Sequence, residues 1–249
     1  MIATISLKGK TFRVDFSSPI DISIPMSEKS ARAWYAEPMR FEPVRNGDWI
    51  GEVKQGGSVN FRNIFFNPHA HGTHTECVGH IAKEIYNVNE HLKNYFFLAE
   101  LITVLPDQTP EGDFIIRRKQ LEMLLEAKDV QAVVLRTVAN SDAKLSMNWS
   151  NTDPPYLEES AAKFLAEKKI DHLLIDLPSV DKEVDGGKLL AHHAFWEYPH
   201  NTQFQRTITE FIYVPNTVYD GTYLLNLQTA PFVNDATPSR PVLFRVLAN

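Results

Sequence analysis

Between Asn67 and His80 the chain sets four of its nine histidines, His69, His71, His74 and His80, around a single carboxylate, Glu76. Neutral imidazole offers a metal a lone pair near neutral pH. A carboxylate beside it adds a hard oxygen donor and balances the ion's charge. His74 and Glu76 are two residues apart, which on an extended segment puts both side chains on one face. His80 follows four residues after Glu76, and Gly79 before it permits a sharp bend. The helical zinc motif His-Glu-x-x-His is absent, so the spacing predicts a metal site built on strand and loop. The same density also fits a solvated His-rich loop or histidines satisfied in a core. Further along, His192 and His193 are adjacent and Glu210 follows. An adjacent pair alone is more often structural, but a site made from one short loop needs remote ligands or bases to complete it.

These groups must be positioned by the elements around them. Residues 2–7 and 11–16 alternate apolar and polar about Lys8-Gly9-Lys10, which reads as a β-hairpin, and 19–25 stay extended. Residues 31–67 are rich in aromatics and turn formers. Packing is the expected fate of most of these rings, with a substrate wall as the alternative. After the histidine cluster, 81–92 has helical spacing through Ile81, Ile85 and Val88. A strand at 96–105, a helix at 117–128, a strand at 130–138, a helix at 157–168 and a strand at 173–177 follow. Asp153 or a neighbour is the expected cap of the second helix. This alternation is a βαβ pattern and predicts a partly parallel sheet. The last third reads as strands at 207–214, 222–227 and 242–247. No linker or repeat interrupts residues 1–249, so one domain is expected.

The 249 residues are 43% hydrophobic and 22% charged, enough for a full core. A net charge of −6 gives no electrostatic reason to expect nucleic acid or anionic membrane as a partner. No signal peptide or 18-residue apolar run is present, and the lone cysteine, Cys77, suits a reducing compartment; a soluble, cytoplasmic protein is expected. Cys77 lies within the cluster, and burial as a small apolar residue is expected over service as a thiolate. Gly-x-Ser-x-Gly, Gly-x-Gly-x-x-Gly and Walker A patterns are absent, so neither a serine hydrolase elbow nor a nucleotide site is suggested.

Gly72-Thr73-His74-Thr75-Glu76 with His80 resembles the hallmark of the cyclase family of metal-dependent hydrolases, which includes kynurenine formamidase and isatin hydrolase. Ile175-Asp176, Asp181, Ala191-His192, Thr209-Glu210-Phe211 and Ser239-Arg240-Pro241 extend the resemblance over most of the chain. It differs from the family in three places. Glu76 stands where Asp is usual. The leading histidine falls at His69 or His71 rather than at position 70, with His69 favoured because Pro68 fixes the entry. The stretch from His192 to Glu210 is long, with Glu197-Tyr-Pro-His200 inserted.

The resemblance implies a single compact α/β domain with a mixed, barrel-like β core and flanking helices, and a homo-oligomer, dimer or tetramer. It implies that His69, His74 and Glu76 bind one divalent ion. His80, His192 and Glu210 then complete a second site with Glu76 bridging, or act on the water. Zinc, with manganese as alternative, suits the donor set. The implied reaction is hydrolysis of an amide-type C–N bond of a small molecule, an N-formyl arylamine or a cyclic amide. A binding protein that has kept the fold without turnover is the alternative.

Overall fold

In the computed structural model, which describes residues 1–7, 9–125 and 128–247, ten strands form one sheet. They are β1 (Ile2–Leu7), β2 (Lys10–Asp21), β3 (His74–Glu76), β4 (Phe96–Val104), β5 (Ala132–Thr137), β6 (His172–Ile175), β7 (Thr207–Glu210), β8 (Gly221–Asn226), β9 (Ala236–Pro238) and β10 (Val242–Leu247). Their spatial order is β1-β2-β10-β8-β4-β5-β6-β7-β3-β9. The four central strands, β4 to β7, run parallel; every pairing outside them is antiparallel. Parallel neighbours require crossovers, and here these carry α2 (Arg118–Leu125), α3 (Glu159–Glu167) and α4 (Leu190–Trp196); α1 (Val88–His91) is a single turn outside this set.

The apolar runs at the centre follow from burial on both faces. Val133 and Leu135 of β5, with Leu173 and Ile175 of β6, face a core shared with Leu121 and Leu125 of α2, Leu165 of α3 and Phe195 of α4. The alternate residues Ala132, Val134 and Leu174 face a second core with Phe97, Leu225 and Leu243. Residues 22–24, beyond β2, cross to the other side of the sheet. Tyr213 N donates to Ile22 O at 2.8 Å, and Ile24 N donates to Thr73 Oγ1 at 2.7 Å. The sheet is thereby curled and tied at one end, the barrel-like α/β core that was expected.

The hairpin and the βαβ series form as expected; Lys8 of the turn and Glu126 and Ala127 of the helix lie outside the described residues. Three expectations fail. Residues 81–92 are not one helix: only Val88–His91 is helical, capped by Asn87, whose side chain accepts from Glu90 N. Ile85 is 95% exposed, so its helical spacing meets no surface, and Val88 N is committed to Asn234 O instead. Asp153 does not cap α3. It has a positive φ and is separated from the helix by two prolines and the extended pair Tyr156–Leu157, so Glu158 occupies the cap position. Most rings of 31–67 do not pack inward. Phe41 and Phe65 sit on a two-stranded ribbon, Arg40–Pro43 with Arg62–Phe65, which stands apart from the sheet and leaves Phe61, Ile64 and Phe65 exposed.

His172 opens β6 in a buried position, its ring centroid 3.9 Å from that of Phe97 and Nδ1 2.9 Å from Thr207 Oγ1. Burial pushes its pKa down to about 3. The unfolded chain takes up this proton near the ordinary histidine value of about 6.5. Between those values the unfolded state binds the extra proton, so this contribution to stability is complete above about pH 6.5 and is lost as pH falls towards 3. The slope from this one group is up to about 1.4 kcal/mol per pH unit. Denaturant unfolding at pH 7 and pH 5 should show the loss, and His172→Gln should flatten it. Identical slopes in the two proteins would exclude His172 as the source.

Candidate metal centre

β3 lies between β7 and β9 with all three of its residues buried. Alternation turns His74 and Glu76 to one face and Thr75 to the other, where Thr75 Oγ1 meets Thr209 Oγ1 at 2.7 Å. Register places Glu210 directly opposite His74, with His74 Nε2 3.4 Å from Glu210 Oε2. The preceding Gly72 has φ +63°, a left-handed conformation that glycine adopts without strain. Thr73 then fixes the strand's entry, donating to Phe211 O while accepting from Ile24 N.

The loop before β3 turns its two histidines in different directions. His71 Nε2 lies 2.7 Å from Glu37 O, which can only accept; the ring is therefore protonated there, and Nδ1 accepts from Asn67 N at 2.9 Å. Both nitrogens of His71 are thus engaged away from the cluster. His69 points the other way: its Nδ1 is 3.1 Å from Glu76 Oε2 and its Nε2 2.8 Å from Asp235 Oδ2.

His192 arrives from α4. Asp181 accepts from Ala191 N and His192 N at the start of that helix and holds His192 Nδ1 at 2.5 Å. Nε2 of His192 is thereby aimed at Glu76 Oε1, 3.1 Å away, and lies 3.9 Å from Glu210 Oε1. Glu210 Oε1 also accepts from Val180 N at 3.0 Å. His80, on the short turn after β3, is a looser member, its Nδ1 3.9 Å from Glu76 Oε2 and 3.7 Å from Asp235 Oδ2. All six residues singled out from the sequence, His69, His74, Glu76, His80, His192 and Glu210, are therefore gathered in one place. His193 is not, since its ring meets Tyr198 O. Cys77 is buried in the second core, and burial raises its thiol pKa to about 12, which makes it a poor nucleophile.

Asp181 and Asp235 are the residues that sequence reasoning left without a role. Asp181 stands in the segment that resembles the family, and its two-residue relation to Ser179 carries no hint of a partner at His192. Asp235 approaches from the far end of the chain, just ahead of β9.

The electrostatics favour an ion. Burial works against charge on Glu76, but the charge of His80 and the hydrogen bond from His192 hold its carboxyl well below the usual range. Burial likewise opposes protonation of His69 and His192, yet their carboxylate partners (Asp235 and Glu76 for the first, Asp181 and Glu76 for the second) raise both to about 10. Among the described residues, His74 Nε2 and Glu76 Oε2 are buried without a well-aligned hydrogen bond; their nearest polar neighbours are Glu210 Oε2 at 3.4 Å and His69 Nδ1 at 3.1 Å. Such atoms are costly unless another group completes them, as a cation would. The donor atoms of His69, His74 and Glu76 lie within 4.8 Å of one another, as do those of Glu76, His80 and His192. The set fits a divalent ion by donor type, by spacing and by these two buried atoms.

The cluster opens into a cavity of about 300 Å³, with His69, His80, His192 and Glu210 on one side and Trp34, Ala36 and Leu189 among its apolar walls. Trp34 and Tyr35 both carry a positive φ, uncommon for such residues, and Tyr35 N is fixed by Ser150 Oγ. That backbone turns the indole into the cavity, so one ring of the aromatic stretch does line a wall.

The chain is similar to known proteins in sequence and in fold. A family model described as a putative cyclase matches residues 20–182. The kynurenine formamidase of Bacillus thuringiensis (strain Al Hakam) is 30% identical over 227 residues, covering 90% of this chain and 96% of that protein. The kynurenine formamidase of Bacillus anthracis is 28% identical over 229 residues, with the same coverage. Among solved structures, isatin hydrolase A from Labrenzia aggregata, bound to benzyl benzoate, superposes with a TM-score of 0.68 at 15% identity, over 92% of this chain and 94% of that one. A protein described as a potential metal-dependent hydrolase with cyclase activity gives 0.63 at 17% identity, over 92% and 98%. At these identities the structural likeness speaks for the fold. Among the described residues, no helix is long and apolar enough to cross a membrane.

Because His69 and His192 hold protons up to about pH 10 in the metal-free protein, an ion that takes up their lone pairs must expel them. Zinc titrations by calorimetry in two buffers of different ionisation enthalpy should therefore give different apparent heats, showing net proton release at pH 7.5. Affinity should climb with pH from 6 towards 10 and level beyond. Heats independent of buffer would contradict this arrangement.

Proposed function

The chain belongs to the cyclase family, and from that premise we propose that it hydrolyses an amide-type C–N bond in a small, planar substrate, with a divalent ion at the His–Glu cluster. The substrates this reading favours are N-formyl arylamines such as N-formylkynurenine, and cyclic amides such as isatin. The relatives named above support the reaction class. The observation that carries the reading is the convergence of His69, His74 and Glu76, with His74 Nε2 and Glu76 Oε2 buried and lacking a well-aligned hydrogen bond, beside a cavity that Trp34 lines.

His69, His74 and Glu76 would hold one ion, with His192 and Glu210 placed to hold a second or to share the first. Zinc or manganese would supply Lewis acidity towards the carbonyl oxygen and would make water acidic enough to serve as nucleophile near neutral pH. The remaining work falls to the chain itself. His80 lines the cavity, is 30% exposed at its side chain and keeps its carboxylate neighbours, Asp235 and Glu76, no nearer than 3.7 Å, so its ring is the one placed to take the proton from water. As the C–N bond breaks, His80 returns that proton to the leaving nitrogen, giving an amine and a carboxylic acid that then releases its own proton to solvent. Asp181 keeps His192 in one orientation throughout. Trp34 offers a flat face to an aryl ring.

Elemental analysis of wild type and His74→Ala tests the ion, and hydrolysis of N-formylkynurenine and of isatin tests the reaction. Wild type should hold zinc or manganese that His74→Ala loses. His80→Ala should keep its metal and lose about 10²- to 10⁴-fold in kcat, the usual contribution of a positioned acid–base group. Metal bound with no turnover of either amide would leave a binding protein. A wild type that neither holds nor responds to metal would end the hydrolase reading.

A further inference from the structure

Asp235 has no role in the reaction proposed above, yet its carboxylate faces two members of the cluster. Oδ2 lies 2.8 Å from His69 Nε2 and 3.7 Å from His80 Nδ1. His69 is thus held across its ring, with Nδ1 turned to Glu76 Oε2 at 3.1 Å and Nε2 turned outward to Asp235. His69 needs such a partner more than His74 does. His74 is fully buried on a strand paired on both sides, with its Nδ1 3.2 Å from Gly72 O, whereas His69 stands on a loop with its side chain 22% exposed.

The backbone places Asp235 firmly. Cys77 N donates to Asp235 O at 2.9 Å, Val88 N donates to Asn234 O at 3.0 Å, and Ala236 is in register with Glu76. Gly79 keeps the space open: a Cβ there would lie 3.1 Å from Asp235 Cβ and 2.3 Å from Tyr86 O, so any other residue would displace this neighbourhood.

We propose that Asp235 is a positioning residue for the metal centre, accepting the Nε2 proton of His69 so that Nδ1 is presented as the ligand. A carboxylate in that place fixes the tautomer and ring orientation and strengthens the nitrogen as a donor. The proposal rests on the metal-hydrolase reading above. It differs from a rival arrangement in which Asp235 is itself a ligand with His69 and His80, whose donor atoms also lie within 4.8 Å of one another.

The test is zinc affinity, measured by competition with a chromogenic chelator, together with the number of zinc ions bound. Asp235→Asn should bind zinc about 10- to 100-fold more weakly, the usual consequence of losing such a partner, with the same stoichiometry. Cobalt as a spectroscopic probe should show shifted visible bands in the variant, which a general loss of stability would not produce. In a His69→Ala background the Asp235 substitution should cost nothing further, because its effect runs through His69. Asp235→Ala gives the same comparison if the amide variant folds poorly. Affinity within about twofold of wild type, loss of a whole zinc equivalent, or losses that add in the double variant would each overturn the proposal. A wild type that binds no zinc overturns the metal-hydrolase reading as well, whereas zinc-binding wild type with an indifferent Asp235→Asn overturns this proposal alone.

Discussion

A carboxylate with no exposed surface, Glu76, sets the terms for this end of the molecule. An isolated buried charge costs several kcal/mol after the protein has relaxed around it, so it persists only where opposite charge and hydrogen bonds surround it. Here the surroundings are histidines drawn from three kinds of element. His192 comes from a helix, His69 from a loop and His80 from a turn, and each of them faces one of the two oxygens of Glu76. Asp181 and Asp235 stand behind His192 and His69. The result alternates acid and base over a short distance, which lets negative charge be buried without leaving the imidazoles unsupported.

The sheet is what makes that cluster possible. β3 is three residues long and could not hold its shape alone. Between β7 and β9 its backbone is hydrogen-bonded on both sides, and the register delivers Glu210 opposite His74 and Ala236 opposite Glu76. The βαβ series fixes β7 beside β6, and the α4 crossover between them brings His192 over the end of the sheet. The cluster is therefore assembled where the parallel centre gives way to antiparallel edges, and the residues that carry it are separated in sequence by most of the chain.

That separation explains what the sequence made legible. His74, Glu76 and the bend at Gly79 are local, and a period of two is enough to read them. His192 and Glu210 needed the likeness to a family, because nothing in an adjacent histidine pair or a Thr-Glu-Phe strand end points to a distant partner. Asp181 and Asp235 were missed for the same reason: their partners are set by tertiary contact. The βαβ centre was readable from continuous apolar runs buried on two faces. Residues 81–92 misled because apolar spacing predicts a helix only where a surface exists to receive it, and Ile85 faces solvent. The ribbon at 40–65 misled in the opposite sense, its aromatics promising a core that the fold does not build there.

Two departures from the family pattern, the longer acid and the earlier histidine, belong together in this geometry. Glu76 reaches His192 Nε2 with Oε1 and His69 Nδ1 with Oε2, each at 3.1 Å. An aspartate on the same strand position would draw its carboxylate back towards the backbone by roughly one C–C bond, about 1.5 Å, and could not meet both rings where they now stand. A leading histidine five residues before His74 sits on a loop that begins at Asn67, whose side chain accepts from His69 N and whose backbone N–H engages His71. With His71 turned away to Glu37, the ring of His69 approaches from a loop and not from the strand, and the additional methylene of Glu76 spans the difference. The inserted residues after α4 do not disturb this relation, since Arg206 ties Glu197 to Phe195 O and Ala166 O on the far side of the helix. Replacing Glu76 by Asp without moving His69 therefore opens a gap in the cluster.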